Sequence, residues 1–421
     1  MTANPIDNPH QIAAEQDVIA LWQDERVKAA RDLVGRMWKT GWGDTPPDEV
    51  RPLIEPHIDE YMTNWLFKAA ASDAQHPRFV RDFMPAYSWR GHDVPGARTG
   101  GDNPDNIYRL AGIAHGTHYR VTGRVLDEEP ANVSFTLVGN YGTSVTIQTI
   151  ENQQLEREPD GGFVITIDDQ PANGRPNHLT TAPHVKFLFV RDSMEDWARE
   201  TPLNLSIERL GEPKAPPLTR DQMAERAAFR AREDVPLYHW FQCAWTSLRP
   251  NSMGPAETLR GMGGLVTQGL SKGYFRLAPD EAVIIDYEPA GAGYVSIQLS
   301  DWLYRSMDAG MVQSSLTRAQ SATSSDGRVR AVAARRDPGV ANWLDCAGFE
   351  NVLVLHRWQA LPPQPVNGGP QVQTRIVKLD QLREALPSDT AWFTPEQRAE
   401  QLAARKAAYA RRIQPQGEEQ P

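Results

Sequence analysis

Apolar and polar residues alternate with a period of two in many short segments of this chain. In segment 162–167, Phe163, Ile165 and Ile167 fall on one side, and segment 203–210 repeats the pattern. Such alternation is typical of antiparallel strands that bury one face. Strands of this kind are predicted at 119–125, 133–138, 144–150, 162–167, 184–190 and 203–210, and again at 274–277, 282–287, 293–299, 328–333, 352–358 and 374–379. We therefore expect a mainly β protein with two antiparallel, jelly-roll-like sandwich blocks.

Helical spacing of apolar residues occurs outside these blocks. It predicts helices over 11–40, 50–71 and 219–269. A last helix is expected after Thr394, because Thr394 suits the N-cap, Pro395 the first helical position and Gln397 the third. The fold class is thus β-rich, with α-helical N-terminal, central and C-terminal segments.

The change of pattern along the chain divides it into five regions. We expect a helical region at 1–94, a first sandwich block at 95–215, a helical linker or lid at 216–272, a second block at 273–380 and a C-terminal helical tail at 381–421. The final residues, 414–421, are polar and predicted to be disordered. The two β blocks could be related halves.

Composition and charge narrow the function classes. The chain has 421 residues and a formal net charge of −10, which argues against binding to nucleic acids or to anionic membrane surfaces. No signal-peptide pattern and no run of eighteen apolar residues occurs. Cys243 and Cys346 are the two cysteines and lie far apart, which favours a reducing compartment. We expect a cytoplasmic protein that could form a homo-oligomer.

Three segments of the sequence resemble one protein family. The segment DNPDNIYR at 102–109, the segment YRVTGR at 119–124, and Asn342 and Trp343 ahead of strand 352–358 carry the likeness. They resemble the bacterial domain of unknown function 1214 family, over roughly residues 95–360. The resemblance implies a double jelly roll of the peptidylglycine monooxygenase and PNGase F type. Members of that family often occur in bacteria that degrade hydrophobic small molecules, and the family supplies no agreed catalytic residues.

Four histidines are candidates for chemistry. His115 and His118 stand three positions apart, and His178 and His184 follow later. Four imidazoles, with a carboxylate nearby, could hold zinc, iron or copper. His115 and His118 could also act as general acid or base. The alternative is that both occupy a hairpin turn, and no sequence motif predicts the geometry of a metal site.

The glycine-rich segment 98–105 is a candidate ligand loop. Its glycines allow the backbone to approach a ligand closely, and Arg98 could meet an anion, with Asp102 and Asp105 as further polar contacts. The alternative is a structural crossing loop. A second glycine cluster, 261–264, lacks the context of a dinucleotide site and is better explained by helix ends.

An aromatic stretch in the central helix could form part of a pocket. Tyr238 and His239 are candidate acid or base residues, and Trp240 and Trp245 are candidate binding residues. The alternative is a face that only packs against the core. The serine- and threonine-rich segment 314–325 is predicted to be an exposed loop.

Two hypotheses of function follow. The leading one is an enzyme of small-molecule catabolism that acts on an apolar steroid, terpenoid or aromatic substrate. It would catalyse hydration, isomerisation or hydrolysis without an organic cofactor, because no cofactor fingerprint occurs and twelve tryptophans are available for apolar walls. The rival is a non-catalytic sandwich protein that binds a carbohydrate or a lipid. The helical segments would form a lid or a subunit interface.

Overall fold

A computed structural model describes residues 4–142, 144–246, 249–257 and 267–413. The glycine cluster 261–264 and the tail 414–421, for which the sequence predicts helix ends and disorder, lie outside these residues. The fold is β-rich, with helices at the N-terminus, in the centre and at the C-terminus. This confirms the predicted fold class.

Three helices open the chain: α1 (Pro9–Leu21), α2 (Glu25–Trp42) and α3 (Ile54–Ala71). The single helix predicted over 11–40 is wrong, because the chain breaks at Asp24. The Asp24 side chain accepts a hydrogen bond from Arg26 N and so caps α2. α3 is almost wholly buried from His57 onwards.

The first sandwich consists of a five-stranded sheet and a four-stranded sheet. The five-stranded sheet has the order β1-β4-β10-β6-β7, with β1 (Val80–Asp82), β4 (Asn106–Gly112), β6 (Asn132–Gly139), β7 (Val145–Glu151) and β10 (Val185–Ser193). The four-stranded sheet has the order β11-β5-β8-β9, with β5 (Tyr119–Arg124), β8 (Phe163–Asp168), β9 (His178–Thr180) and β11 (Asn204–Arg209). A hairpin of β2 (Tyr87–Trp89) and β3 (His92–Val94) precedes β4.

The second sandwich follows the central helix α4 (Arg220–Thr246). Its five-stranded sheet has the order β12-β13-β19-β15-β16, with β12 (Ser252–Met253), β13 (Gly269–Arg276), β15 (Tyr294–Ser300), β16 (Ser315–Thr317) and β19 (Asn351–Gln359). Its four-stranded sheet has the order β18-β17-β14-β20, with β14 (Glu281–Tyr287), β17 (Val329–Ala334), β18 (Trp343–Asp345) and β20 (Val372–Lys378). The chain ends with α5 (Leu382–Ala385) and α6 (Pro395–Ala410), which Thr394 caps as predicted.

The strand order of the second sandwich repeats that of the first. In chain order, β1 and β4–β11 correspond to β12–β20, and the parallel pairs β8–β9 and β17–β18 also correspond. Ser193 of β10 pairs with the first residue of β6 and Gln359 of β19 with the first residue of β15, so Ser193 corresponds to Gln359 and Arg191 to Arg357. Ser193 Oγ donates a hydrogen bond of 2.8 Å to Gln359 Oε1, so equivalent ends of the two central strands meet.

Each sandwich has its own apolar core, and both share a further core with the helices. The inward residues of each pair of sheets pack together. The outward residues of the two five-stranded sheets, among them Phe187, Phe189, Leu353 and Leu355, belong to the same core as α1–α4. Because successive side chains of a strand point to opposite faces, one sheet can serve both cores. The helices therefore pack against the outer faces of both five-stranded sheets.

Three local predictions are wrong. Segment 314–325 contains β16, whose three residues are buried rather than exposed. The helix predicted over 219–269 ends at Thr246, and β12 follows within that range. The region 1–94, predicted as helical, also contains the strands β1, β2 and β3. None of the helices that the structure describes is long and apolar enough to cross a membrane.

Candidate functional site

The predicted ligand loop 98–105 runs between the two sandwiches and is held by protein groups. Arg98 is paired with Glu60 on α3, with Nη2 2.7 Å from Oε1, and its Nη1 donates to Ser306 O. Asp102 accepts from both Ser306 N and Ser306 Oγ. These contacts join the helices to the second sandwich, and we assign Arg98 and Asp102 a structural role.

Asp105, the third predicted residue of this loop, has the same kind of role. Its carboxylate accepts from Trp197 Nε1 at 3.1 Å and from Tyr294 OH at 2.7 Å. Trp197 follows the first sandwich's β10, and Tyr294 begins β15 of the second. Asp105 is fully buried. One carboxylate oxygen thus links the loop to the second half, and the other is bonded within the first half.

The four candidate histidines are not brought together. His115 and His118 are exposed in the turn between β4 and β5, and His184 is also exposed. Because β4 and β5 belong to different sheets, this turn is not the predicted hairpin. His178 is buried on β9, where its ring nitrogens contact Thr166 Oγ1, Gln170 O and Asp168. Within the described ranges, no group of three or more histidine, cysteine or acidic residues could hold a metal ion. The structure therefore contradicts a joint metal site of these four residues.

The aromatic residues of α4 point in different directions. His239 packs against α2, with its ring 5.9 Å from Trp42 and its nitrogens near Cys243 Sγ, and burial lowers its pKa. Trp245 is buried and its ring lies 4.6 Å from Tyr304. Trp240 is 57% exposed. Tyr238 faces α3, so His239 and Tyr238 do not act at one place.

Tyr238 meets a buried lysine that the sequence analysis missed. Lys68 on α3 is 6% exposed, and its Nζ donates a hydrogen bond of 3.2 Å to Tyr238 OH. The same nitrogen lies 4.4 Å from the ring centroid of Trp65. Burial opposes the charged form, but Tyr238, Asp82 and Asp234 outweigh it, and the pKa of Lys68 is raised. In the sequence, a lysine inside the otherwise apolar run Trp65–Ala71 was the feature that could have indicated this buried group.

Asp82 at the end of β1 completes this buried polar group. Burial raises the pKa of Asp82 to about 7, although the charge of Lys68 works in the opposite direction. Asn64 Nδ2 donates to Asp82 Oδ1 at 2.5 Å. Asp82 Oδ2 and Asn64 Oδ1 have no hydrogen-bond partner among the residues that the structure describes. An ionisable carboxyl group therefore lies beside the Lys68 ammonium with hydrogen-bonding capacity left over.

Backbone strain marks the residue next to Asp82. Phe83, directly after Asp82, has a φ of 53°. Bulky side chains rarely adopt this left-handed region, and such residues cluster at functional sites. Phe83 N donates to Asp82 Oδ1 at 2.7 Å, so the strained conformation also positions the carboxylate.

A cavity of about 340 Å³ opens beside Lys68, and we call it the α3–α4 cavity. Its walls combine aromatic, small and basic residues from α3, α4, β10 and the loop after β6. The lining residues are Trp65, Lys68, Ala69, Ser72, Tyr141, Lys186, Arg226, Ala227, Phe229 and Arg230. Cavities of this size hold small ligands, and apolar walls with a few polar groups are typical of them.

A second cavity, of about 470 Å³, lies between the end of α4 and the β12–β13 edge, and we call it the β13-edge cavity. Both predicted binding residues of α4, Trp240 and Trp245, line it, together with Glu257 and Lys272. Lys272 Nζ lies 4.4 Å from the ring centroid of Trp245. Burial lowers the pKa of Lys272. The structure therefore brings Trp240 and Trp245 to one cavity and Tyr238 to the margin of another.

Comparison with known proteins supports the fold. A crystal structure of an uncharacterised protein from Burkholderia cenocepacia is similar to this chain, with a TM-score of 0.71 and 26% sequence identity, over 86% of this chain and 99% of that chain. A protein from Vibrio parahaemolyticus has a TM-score of 0.43 and 10% identity, over 84% of this chain and 100% of its own. No protein-family model matches the chain, and no curated protein matches it. The resemblance to the domain of unknown function 1214 family stays a prediction.

Proposed function

We propose that the protein binds a small molecule with an aromatic or otherwise flat apolar body in the α3–α4 cavity. The observation that carries this proposal is the buried Lys68 in the wall of a cavity that also presents Trp65, Tyr141 and Phe229. Aromatic faces bury the body of such a ligand, and a single buried polar group can orient it. This is the class of aromatic substrates that the sequence analysis put forward, and it does not depend on catalysis.

The proposal is tested by filling the cavity from inside. Ala227 lines the α3–α4 cavity, and Ala244 lines the β13-edge cavity. In calorimetric titrations with a panel of mono- and bicyclic aromatic compounds, Ala227→Phe should weaken binding by about tenfold or more, because the added ring occupies the ligand's place. Ala244→Phe fills the other cavity and should leave the affinity unchanged.

A second variant covers the case in which Ala227→Phe does not fold. Phe229 is 45% exposed at the cavity rim, so Phe229→Ala should fold normally and lose several-fold in affinity. Wild-type affinity in both cavity variants would contradict the proposed site. A panel in which no compound binds the wild-type protein would contradict the binding function itself.

One observation favours a second function, an enzyme that transfers a proton. The 3.2 Å hydrogen bond from Lys68 Nζ to Tyr238 OH places an ammonium group against a phenol. Because the ammonium group donates to the phenol oxygen, the phenol hydrogen is left to bond to a further acceptor. Such a pair supports the hydration, isomerisation or hydrolysis expected of a catabolic enzyme with an apolar substrate. In this proposal Lys68 contacts the ligand and Tyr238 supplies or accepts the proton behind it.

The catalytic proposal is tested by separating turnover from binding. A ligand that binds would be incubated with the protein in D₂O and followed by NMR for new products or incorporated deuterium. Tyr238→Phe should retain the affinity and abolish the chemical change, since only the hydroxyl is lost. An unchanged ligand with the wild-type protein favours the non-catalytic alternative. Equal turnover by Tyr238→Phe and wild type would remove Tyr238 from the mechanism.

A further inference from the structure

Basic side chains from three separate elements meet at the α3–α4 cavity. Lys68 comes from α3, Lys186 from β10, and Arg226 and Arg230 from α4. Lys186 Nζ and Arg230 Cζ lie 5.6 Å and 4.4 Å from the ring centroid of Tyr141, so both stand over the same aromatic wall. The cavity therefore combines cationic and aromatic groups over a short distance.

None of these four cations forms a salt bridge with a described residue. Among the described residues, no carboxylate oxygen lies within 4.0 Å of Lys68, Lys186, Arg226 or Arg230. Arg226 donates instead to Ser72 Oγ, a neutral acceptor, at 3.0 Å. Asp82 and Asp234 are carboxylates whose charges reach Lys68, and that of Asp234 also reaches Arg230, but neither is part of the lining. Two carboxylates thus stand near four cations.

Arginines elsewhere in the same neighbourhood are paired. Arg220, also on α4, lies 2.9 Å from Asp17, and Arg78, after α3, lies 3.0 Å from the same carboxylate. The chain as a whole carries more acidic than basic residues, with a formal net charge of −10. Unpaired cations that converge on one cavity of an acidic protein repel one another, and a bound anion relieves that repulsion.

We infer that the ligand of the α3–α4 cavity is an anion with an aromatic body, namely an aromatic carboxylate of one or two rings. The inference rests on the proposed binding function. The ring stacks on Trp65, Tyr141 and Phe229, and the carboxylate accepts hydrogen bonds from the guanidinium groups and from Lys68. A body of one or two rings is consistent with a cavity of about 340 Å³.

The test compares two probes with the same rings, one anionic and one neutral. 1-Naphthoate and 1-naphthamide have the same rings, and calorimetric titration at low ionic strength should show naphthoate binding about tenfold tighter or better. Inorganic phosphate serves as an anion without a ring and should bind more weakly than naphthoate. Phosphate that binds as tightly as naphthoate would contradict the aromatic part of the inference.

Matched variants test whether the difference in affinity between naphthoate and naphthamide arises at the α3–α4 cavity. Arg230→Gln should weaken naphthoate binding by about tenfold and leave naphthamide binding unchanged, because only a charged hydrogen bond is lost. Lys186→Gln should act in the same direction. Arg36→Gln is the control, since Arg36 is an exposed helix arginine of α2 outside both cavities. All three residues are at least partly exposed, so these variants should fold.

The outcomes separate this inference from the proposed function. Equal affinity for naphthamide and naphthoate would overturn the anion inference and leave small-molecule binding intact. Binding of neither probe, while other aromatic compounds bind, would also overturn the inference alone. A charge preference that Arg36→Gln abolishes as strongly as Arg230→Gln would show that it arises from the overall field of the protein and not from the cavity.

Discussion

The two sandwiches share one strand order but stabilise equivalent positions by different chemistry. In the first, Asp192 on the inner face of β10 forms a buried ion pair with Arg109, at 2.6 Å. By the same correspondence Asp192 matches Trp358 of β19, whose Nε1 donates to Glu288 O at 2.7 Å. Topology therefore follows from the pattern of strands, while the interactions inside it are free to differ.

The lysines at the two cavities, Lys68 buried and Lys272 half-buried, also have different electrostatic surroundings. Lys68 at the α3–α4 cavity has a raised pKa, because Tyr238, Asp82 and Asp234 outweigh its burial. Lys272 at the β13-edge cavity has a lowered pKa, because burial outweighs the charge of Glu257. Surrounding charges, and not burial alone, therefore decide the direction in which the pKa of a lysine moves.

The largest expected effect comes from breaking the buried ion pair of the first sandwich. Asp192→Ala leaves Arg109 buried without its carboxylate, and we expect the free energy of unfolding to fall by about 3–5 kcal/mol. The matched change in the second sandwich, Trp358→Phe, keeps a ring and loses one hydrogen bond, with an expected loss of about 1–2 kcal/mol. Chemical denaturation followed by circular dichroism measures both. Equal losses would contradict the contrast between the two halves.

A smaller, pH-dependent effect is expected at His356 on β19, which corresponds to Val190 of β10. Its ring is fully buried against Tyr287 and Trp358, and burial, with the charge of Arg357, lowers its pKa well below the usual range. The unfolded chain binds a proton at this residue below pH about 6.5 and the folded chain does not, so stability falls as the pH falls.

His356→Leu removes this loss of stability at low pH. Between pH about 6.5 and 5 the variant should lose up to about 2 kcal/mol less stability than the wild-type protein. The measurement is a series of denaturation curves across that pH range. Trp240→Ala, which changes a largely exposed side chain and no titratable group, should keep the wild-type slope. An identical slope for His356→Leu and wild type would show that this imidazole takes up its proton inside the fold.

The smallest effect on stability is expected at the rims of the two cavities. Trp240 at the β13-edge cavity and Phe229 at the α3–α4 cavity are both largely exposed, so replacement by alanine should change the free energy of unfolding by less than about 0.5 kcal/mol. Naphthoate affinity should fall in Phe229→Ala and stay constant in Trp240→Ala. A loss confined to Trp240→Ala would move the ligand to the β13-edge cavity.

The parts of the fold that were predicted correctly are those marked by a pattern of residues close together in the sequence. The alternation of Phe163, Ile165 and Ile167 predicts β8, and the capping residues around Thr394 predict the start of α6. β16 was not predicted, because its serine and threonine residues are typical of a solvent-exposed loop. In the fold, Thr317 Oγ1 bonds to Glu195 O and Ser315 Oγ accepts from Arg405, so distant residues allow their burial.

The candidate site was recovered in part. The aromatic pattern of α4 pointed to Tyr238, Trp240 and Trp245, which the structure places at or beside the cavities. Lys68 was missed, because a lysine in an apolar helix does not reveal its partner, and Tyr238 lies 170 residues away in the chain. The loop 98–105 was read as a ligand loop because glycine, arginine and aspartate also suit a crossing between two sandwiches.

The sequence by itself determined the β-rich architecture, since alternation with a period of two depends only on neighbours along a strand. Tertiary structure alone decided where charge collects. Lys68, Lys186 and Arg230 belong to α3, β10 and α4, and they meet only because those helices pack on the outer face of the first five-stranded sheet. The packing of distant elements determines the electrostatic environment of each charged side chain, and no local pattern of residues predicts it.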